Sequence, residues 1–154
     1  MKLGKLTHVA VIGAVSRVVI AQLLHIFMTS SPHMSCPRRL ALLQGPIGIE
    51  MSLNLVRSGY SVTLIEKGPH IASHIQDHWS HVDLFSTNAL NMSPTGMEVI
   101  AEQGGSLPDK GAYYSGGKFV NMYLKPLEKY LDNSDKCDIK LNTTGIHYTH
   151  YTTL

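Results

Sequence analysis

Three glycines and one carboxylate have the residue types that bind a dinucleotide, once residues 15–44 are left out of the chain. Gly13, Gly45 and Gly48 then form the pattern G-x-G-x-x-G, and Glu66 lies 23 residues after the first of them. In this pattern the first glycine permits a tight turn, the second lets a pyrophosphate approach the backbone, and the third allows close packing of a helix on a strand. A carboxylate about 20 residues further on bonds ribose hydroxyls and favours FAD or NAD over NADP.

The elements around these residues fall in the order that such a site requires. Residues 8–13 (HVAVIG) predict a buried parallel strand, and residues 45–57 (GPIGIEMSLNLVR) predict a helix that ends at Ser58-Gly59. Residues 60–66 (YSVTLIE) predict a second strand that ends at the carboxylate. The N-terminus of the helix would offer free N–H groups and a positive dipole end to the phosphates. An alternative, in which the glycines serve packing alone, stays open at this point.

Residues 15–44 differ in composition from the rest of the chain. They contain three arginines, no acid and none of the 13 glycines, and without them the chain has ten basic and eleven acidic residues. Placed between Gly13 and Gly45, they would separate the end of the strand from the start of the helix. We interpret them as translated sequence of a retained intron, since Val15-Ser16 and Gln44 permit the codons of a splice donor and a splice acceptor. A genuine lid or targeting insertion is the alternative.

The remainder of the chain continues the alternation of helices and strands. Apolar spacing and turn residues predict a short helix within 69–79, an extended stretch at 81–85, a helix at 95–103, a turn at Gly116-Gly117, helical spacing over 119–131 and a strand at 138–141. Pro126 is expected to kink or interrupt the helix in which it lies. Together with the first two strands, these elements predict an α/β fold with a parallel sheet.

The composition excludes several classes of protein. With 154 residues and 44% apolar residues, the chain can bury the core of one domain, and a net charge of +2 gives no field that would attract nucleic acid. Cys36 and Cys137 lie far apart and form no C-x-x-C, which favours two reduced thiols in a cytoplasmic protein. The apolar run 18–28 is shorter than the roughly 20 residues that cross a bilayer, so we expect no membrane association. An anchor formed by residues 9–28 is the alternative.

Four histidines, at positions 70, 74, 78 and 81, have a spacing that one long helix would bring to a single face. Pro69 precedes them and the extended stretch V-D-L-F follows, so the helix is not expected to continue through His81. The sequence therefore predicts no metal site here, and no Ser-His-Asp or Cys-His arrangement follows from the spacing of nucleophiles.

The rejoined sequence resembles FAD-dependent oxidoreductases with two dinucleotide-binding domains, a superfamily that includes relatives of flavin monooxygenases and of pyridine nucleotide-disulfide reductases. The resemblance rests on VIGA joined to GPIG, on VTLIEKG, on WSHVDLFS (79–86) and on NMYLKPLEKYL. It covers residues 7 to about 144, apart from 15–44. It implies that residues 7–145 are the N-terminal, truncated part of an FAD/NAD(P)-binding domain and that residues 146–154 are a non-homologous tail.

The resemblance also implies a cofactor and its ligands. FAD would bind through Gly13, Gly45, Gly48 and Glu66, and NAD(P)H would bind a second domain that in intact relatives follows residue 145. Trp79 and Phe85 would belong to the core or shield the flavin. No catalytic residue is assigned, because in this chemistry the cofactor carries out the redox step.

The expected protein is thus a partial Rossmann-type FAD/NAD(P)-binding domain, disrupted by an insertion. Its expected function is to form the FAD-binding part of a flavin-dependent, NAD(P)H-linked oxidoreductase that acts on a small-molecule substrate. The alternative function is that of a catalytically inactive fragment or an interaction protein with a damaged dinucleotide-binding fold.

Overall fold

The computed structural model describes residues 9–11, 39–43 and 45–144, and within them the fold is mixed α/β with parallel strands, as predicted. The strands are β1 (Val9–Val11), β2 (Arg39–Leu43), β3 (Ser61–Ile65) and β4 (Cys137–Lys140). They form one sheet in the order β1-β2-β3-β4, and each neighbouring pair is parallel. The predicted strands at 60–66 and 138–141 are confirmed by β3 and β4.

The strand that leads into the first helix is β2, which pairs with β3 from Arg39↔Ser61 to Leu43↔Ile65. The sequence-based prediction assigns this position to residues 8–13, whereas β1 lies on the other side of β2. The physical reason is proximity along the chain, because β2 ends two residues before Gly45 and can enter the helix directly. β2 comes from within the segment 15–44 that the sequence predicts as an insertion.

Six α-helices and one π-helical turn occur among the described residues. The helices are α1 (Pro46–Arg57), α2 (Ser73–His78), α3 (Asn88–Asn91), α4 (Pro94–Glu102), α5 (Gly116–Phe119) and α6 (Lys125–Asp132), and the π-helical turn is Val120–Leu124. The helices predicted within 45–57, 69–79 and 95–103 are confirmed by α1, α2 and α4. The stretch 81–85 is extended at Asp83, which forms an isolated antiparallel bridge with Ser115.

Helix α1 begins and ends where its sequence predicts. Pro46 occupies the first turn, where the missing N–H costs nothing and the fixed φ suits a helix. At the other end Gly59 has φ of 92°, and its N–H donates to the carbonyl oxygen of Val56 at 2.9 Å. A glycine in the left-handed region closes a helix without the steric cost that a Cβ would add. The chain can therefore turn at once into β3.

The predicted turn at Gly116-Gly117 is wrong, because both residues open helix α5. The Ser115 hydroxyl caps this helix by accepting a hydrogen bond from the Lys118 N–H. A Cβ on Gly116 would overlap the Trp79 carbonyl oxygen and lie 3.0 Å from Cγ2 of Ile75. Glycine is needed here because α5 approaches the end of α2 closely, and not because the chain turns.

Pro126 does not interrupt the helix that contains it. The preceding turn is π-helical, and the Lys125 N–H donates to the Val120 carbonyl oxygen five residues earlier. A π turn takes up one extra residue, which keeps a four-residue spacing on one face of the helix. The residues with this spacing, Phe119, Tyr123, Leu127 and Leu131, are all buried.

The hydrophobic core lies between one face of the sheet and the helices α1, α4 and α6. Its fully buried members include Leu53 of α1, Leu64 of β3, Val99 of α4 and Leu127 of α6. On β4 the residues Asp138 and Lys140 are exposed, and their side chains form an ion pair of 3.0 Å. In the described part of the chain, the helices named above therefore cover one face of the sheet.

Candidate functional site

The candidate cofactor site lies at the edge of the sheet where the strands reach their carboxyl ends. Leu43 of β2 is in register with Ile65 of β3, which is in register with Lys140 of β4. Gly45 follows β2 by two residues and Glu66 follows β3 by one. Because neighbouring parallel strands end at the same edge, the start of α1 and the Glu66 carboxylate share this edge. Ligands of open α/β sheets bind in such crevices.

Among the described residues, none comes close to Gly45 at the N-terminus of α1 on the side where a Cβ would lie. Gly45 has extended backbone angles, φ 169° and ψ 175°, and its carbonyl oxygen accepts the Ile49 N–H at 3.0 Å. A Cβ built on Gly45 would meet no described atom within 4 Å. Since Pro46 has no N–H, the donors of the first helical turn are those of Ile47 and Gly48, which have no acceptor inside the helix. With respect to the described part of the chain, a phosphate group has both room and donors here.

Gly48 lies on the buried side of the first turn of α1. Its carbonyl oxygen accepts the Ser52 hydroxyl at 2.8 Å, and Ser52 is itself buried. This bond gives the buried hydroxyl a partner within its own helix. Gly48 therefore lies in the packed interior, whereas Gly45 lies where space is open.

Glu66 is held at the sheet edge by both its backbone and its side chain. Its N–H donates to the Lys140 carbonyl oxygen at 2.8 Å, and its own carbonyl oxygen accepts the Thr143 N–H at 2.9 Å. Its Oε1 accepts the Gly68 N–H at 2.8 Å. Among the described residues this is the one hydrogen bond of the carboxylate, so Oε2 keeps its capacity to accept from a ribose hydroxyl.

Gly13 lies outside the described residues, as do all the residues from 12 to 38 that connect β1 to β2. The structure thus places Gly45, Gly48 and Glu66 of the four predicted cofactor ligands. It brings the first and the last of these to one edge of the sheet. The fit to a dinucleotide rests on the open space at Gly45, which a side chain would begin to fill.

Beside α1 runs an apolar groove of about 480 Å³, which we name the α1 groove. One wall is α1 itself, through Pro46, Ile47, Glu50, Met51 and Asn54. The rest of the lining comes from Ile75, Leu84, Phe85, Ser86, Leu90, Asn91, Ser93 and Phe119. Its lining includes Pro46 and Ile47 of the first turn of α1, and it includes none of the three described residues that the sequence predicts as cofactor ligands.

Two residues of the groove lining, Glu50 and Ser93, form a polar cluster with the buried Tyr123, and the sequence does not predict this cluster. Glu50 Oε1 accepts the Tyr123 hydroxyl and, at 3.2 Å, the Ser93 N–H. Glu50 Oε2 accepts the Ser93 hydroxyl at 2.5 Å. The Ser93 N–H also donates to the Tyr123 oxygen at 2.8 Å, and the Ser93 hydroxyl caps α4 by accepting the Gly96 N–H at 2.9 Å. We call Glu50, Ser93 and Tyr123 the carboxylate cluster.

Burial, together with the negative charge of Glu50, raises the pKa of the Tyr123 hydroxyl well above its usual value of 10.0. The tyrosine therefore stays a neutral hydrogen-bond donor at all physiological pH values. Its ring stacks on that of Phe119, with centroids 5.4 Å apart. The ring also contacts Gly96, where a Cβ would lie 2.7 Å from Cζ of Tyr123. The hydroxyl is thus fixed in position by packing on both sides.

Sequence reasoning missed the carboxylate cluster because its members are far apart in the chain. Glu50 is 73 residues from Tyr123 and 43 residues from Ser93. The clearest local signal is that of Ser93, since a serine followed by proline is typical of a helix start. Glu50 has a weaker signal, as the single acid of its helix.

The four histidines do not share a face. His74 and His78 lie on α2, with ring centroids 5.2 Å apart, while His70 and His81 lie outside that helix. His74 Nε2 accepts the Trp79 indole N–H at 3.1 Å, and His70 Nε2 lies 3.4 Å from Asp77 Oδ1. In the part of the chain that the structure describes, no three His, Cys, Asp or Glu side chains converge as metal ligands do.

Trp79 and Phe85 are not core residues. The Trp79 side chain is half exposed, and Phe85 is 100% exposed at the rim of the α1 groove. The prediction that they belong to the core is wrong for both, and the prediction that they shield a flavin stays a prediction. Cys137 lies half-buried in β4, where burial, with a smaller effect of Asp138, raises the pKa of its thiol to about 11.

Among the described residues, no helix has the length and apolar character needed to pass through a bilayer. The first residues of the alternative anchor at 9–28 form β1, and the others lie outside the described part. Comparison of the chain with protein-family models, with curated proteins and with solved structures found no match.

Proposed function

We propose that this chain forms the FAD-binding part of a flavin-dependent, NAD(P)H-linked oxidoreductase. The observation that carries the proposal is the common edge of β2 and β3, from which a 12-residue helix begins after Gly45 and at which Glu66 follows β3. A dinucleotide needs this combination of free N–H donors for its phosphates and a carboxylate for its ribose. A βα unit that served packing alone would not need open space at Gly45.

The residues of this chain would bind and orient the cofactor. The N–H groups of Ile47 and Gly48 would bond phosphate oxygens, and the bare backbone at Gly45 would let the phosphates approach. Glu66 would accept a hydrogen bond from the ribose. Bound FAD would accept a hydride from NAD(P)H, and the protein would supply position and electrostatics.

The first test measures FAD retention by the purified chain. Bound flavin absorbs near ~450 nm, so the spectrum after gel filtration with added FAD reports binding directly. Gly45→Val is expected to fold normally, because its Cβ would meet none of the described atoms within 4 Å and its φ is extended. It should nevertheless lose FAD, since a branched side chain would stand where the phosphates approach.

Two further variants separate cofactor binding from folding. Glu66→Gln keeps an oxygen for the Gly68 N–H but loses the charge, so FAD affinity should fall about tenfold while the free energy of unfolding falls by no more than about 1 kcal/mol. Gly111→Ala is the control, because its Cβ would make an ordinary contact of 3.6 Å with Asp109 and lies far from α1 in sequence. FAD binding that is unaffected by Gly45→Val would contradict the proposed site.

A chain that binds no FAD under any condition would favour the alternative of an inactive fragment or an interaction protein. The same assay on a chain without residues 15–44 tests the role of that segment. If FAD is retained only by the shorter chain, the interpretation of 15–44 as an intervening sequence is supported. If only the full chain retains FAD, β2 is part of the functional fold.

A further inference from the structure

The α1 groove has a charge pattern that restricts its ligand. Its described lining contains one ionisable side chain, Glu50, and no lysine, arginine or histidine. The polar groups that remain are neutral amides and hydroxyls, namely those of Asn54, Ser86, Asn91 and Ser93. An anionic ligand would therefore meet a negative charge with no compensating cation, whereas a cationic ligand would find a counter-charge.

The Glu50 carboxylate is fixed in place before any ligand arrives. Three donors converge on it, from the Tyr123 hydroxyl and from the N–H and hydroxyl of Ser93. Donors of this kind hold a carboxylate at a defined position, and preorganisation reduces the entropy lost when a ligand binds. A carboxylate oxygen has further lone pairs, so it can accept from a ligand as well.

The rim of the same groove exposes a large apolar surface. Phe85 is fully exposed, and Leu90 and Ile47 beside it are also exposed. An exposed phenyl ring next to an apolar groove gains by stacking on an aromatic ligand. The rim of the groove therefore favours an aromatic body, and Glu50 in its lining favours a positive charge.

We propose that the α1 groove binds a small aromatic molecule that carries a protonated amine, with Glu50 as the counter-ion and Phe85 as the stacking partner. The proposed function would make this ligand the substrate of the oxidoreductase, but its binding to the groove does not require FAD. The amine lies toward Glu50, and the ring lies between the apolar side chains of α1 and the exposed Phe85.

Three probes with the same ring and chain length test the charge preference: 3-phenylpropylamine, 3-phenylpropanol and 3-phenylpropionate. Their affinities for the full chain are measured by isothermal titration calorimetry at pH 7. The amine should bind about tenfold more tightly than the carboxylate, with the alcohol between them. Equal affinities, or a preference for the carboxylate, would overturn the proposal.

Two variants assign the preference to the groove. Glu50→Gln should reduce the difference between amine and carboxylate to less than about threefold. Phe85→Lys changes a side chain that packs against nothing in the described structure, so it folds even if Glu50→Gln does not, and it should reverse the preference. Phe85→Ala controls for loss of the ring and should weaken all three probes alike. A preference that survives both charge changes would refute the assignment.

A second apolar groove of similar volume provides a matched control. It is lined by Met92, Met97, Leu107, Glu98 and Lys110 among others. Leu107→Ala should leave the amine affinity unchanged. A loss of amine binding in that variant would show that the amine binds the second groove, and it would overturn the proposal.

Titrations with and without FAD separate this proposal from the proposed function. If the chain retains no FAD but still prefers the amine, the proposed function fails and the groove ligand stands. If saturation with FAD abolishes amine binding, the groove belongs to the cofactor and the groove ligand fails.

Discussion

Replacing Tyr123 with phenylalanine tests the carboxylate cluster by removing one oxygen from a fully buried side chain. The hydroxyl donates to Glu50 and accepts the Ser93 N–H, so both groups lose a partner. The Ser93 N–H still donates to Glu50 Oε1 at 3.2 Å, so the main effect is that the Glu50 carboxylate loses the hydrogen bond from the hydroxyl. A hydrogen bond to a charged group contributes about 1.5–3 kcal/mol. We expect the free energy of unfolding to fall by that amount.

The loss can be measured as a midpoint in thermal or urea unfolding. For a chain of this size each kcal/mol corresponds to about 2–4 °C, so the melting temperature should fall by about 3–12 °C. Tyr113→Phe is the matched control, because Tyr113 is 62% exposed and the loss of its hydroxyl should change the free energy of unfolding by less than about 0.5 kcal/mol. A Tyr123→Phe protein as stable as the control would show that the cluster contributes nothing.

The same variant should also change how the free energy of unfolding depends on pH. The pKa of Tyr123 is higher in the folded chain than in the unfolded chain, where it is near 10.0. The folded state therefore binds more protons above pH 10, and the stabilisation is complete below that pH and decreases as the pH rises. The wild-type chain should lose stability above pH 10 with a slope that is steeper by up to about 1.4 kcal/mol per pH unit than in Tyr123→Phe. Parallel curves for the two proteins would contradict the assignment.

Three further changes test other parts of the structure. Gly96→Ala places a methyl group against the Tyr123 ring, so urea unfolding should show a loss of about 1–3 kcal/mol, and a loss below 0.5 kcal/mol would mean that the ring moves aside. In a Cys36→Ser background, iodoacetamide should alkylate Cys137 about fifty times more slowly at pH 9 in the folded chain than in the unfolded chain. The reason is that about 1% of the folded thiol is ionised at pH 9, against about half of the unfolded thiol. A folded-state alkylation rate that reaches half its maximum near pH 9 would contradict this. Arg57→Ala removes the two surface ion pairs of Arg57 with Glu98 and Glu102 and should lower the free energy of unfolding by less than about 1 kcal/mol, a difference that should shrink in 1 M NaCl.

The elements nearest the glycine pattern were predictable because their signals are local. Apolar periodicity, Pro46 at the first turn and Gly59 after the last turn define α1 within one residue. The apolar stretch between Gly59 and Lys67 defines β3 equally well. Each of these signals lies within about a dozen residues of the element it specifies, so no knowledge of the tertiary structure is needed.

Other features depend on contacts between distant residues and leave little trace in the sequence. The glycine pair at 116–117 is typical of a turn, yet its role is the close approach of α5 to Trp79, 37 residues earlier. Pro126 is typical of a helix break, yet the π turn before it accommodates the ring. The carboxylate cluster joins three segments, and a pattern within one segment cannot reveal it.

The position of β2 has a consequence for any transcript that omits residues 15–44. Such a chain would lack the strand next to β3, and Val9–Val11 would be free to shift one place inward and hydrogen-bond to β3 itself. The long and the short chain would then share every helix of the described core and would differ in the segment that pairs with β3. If both were made by alternative splicing, splicing would replace one strand of the sheet with another and leave the described helices unchanged.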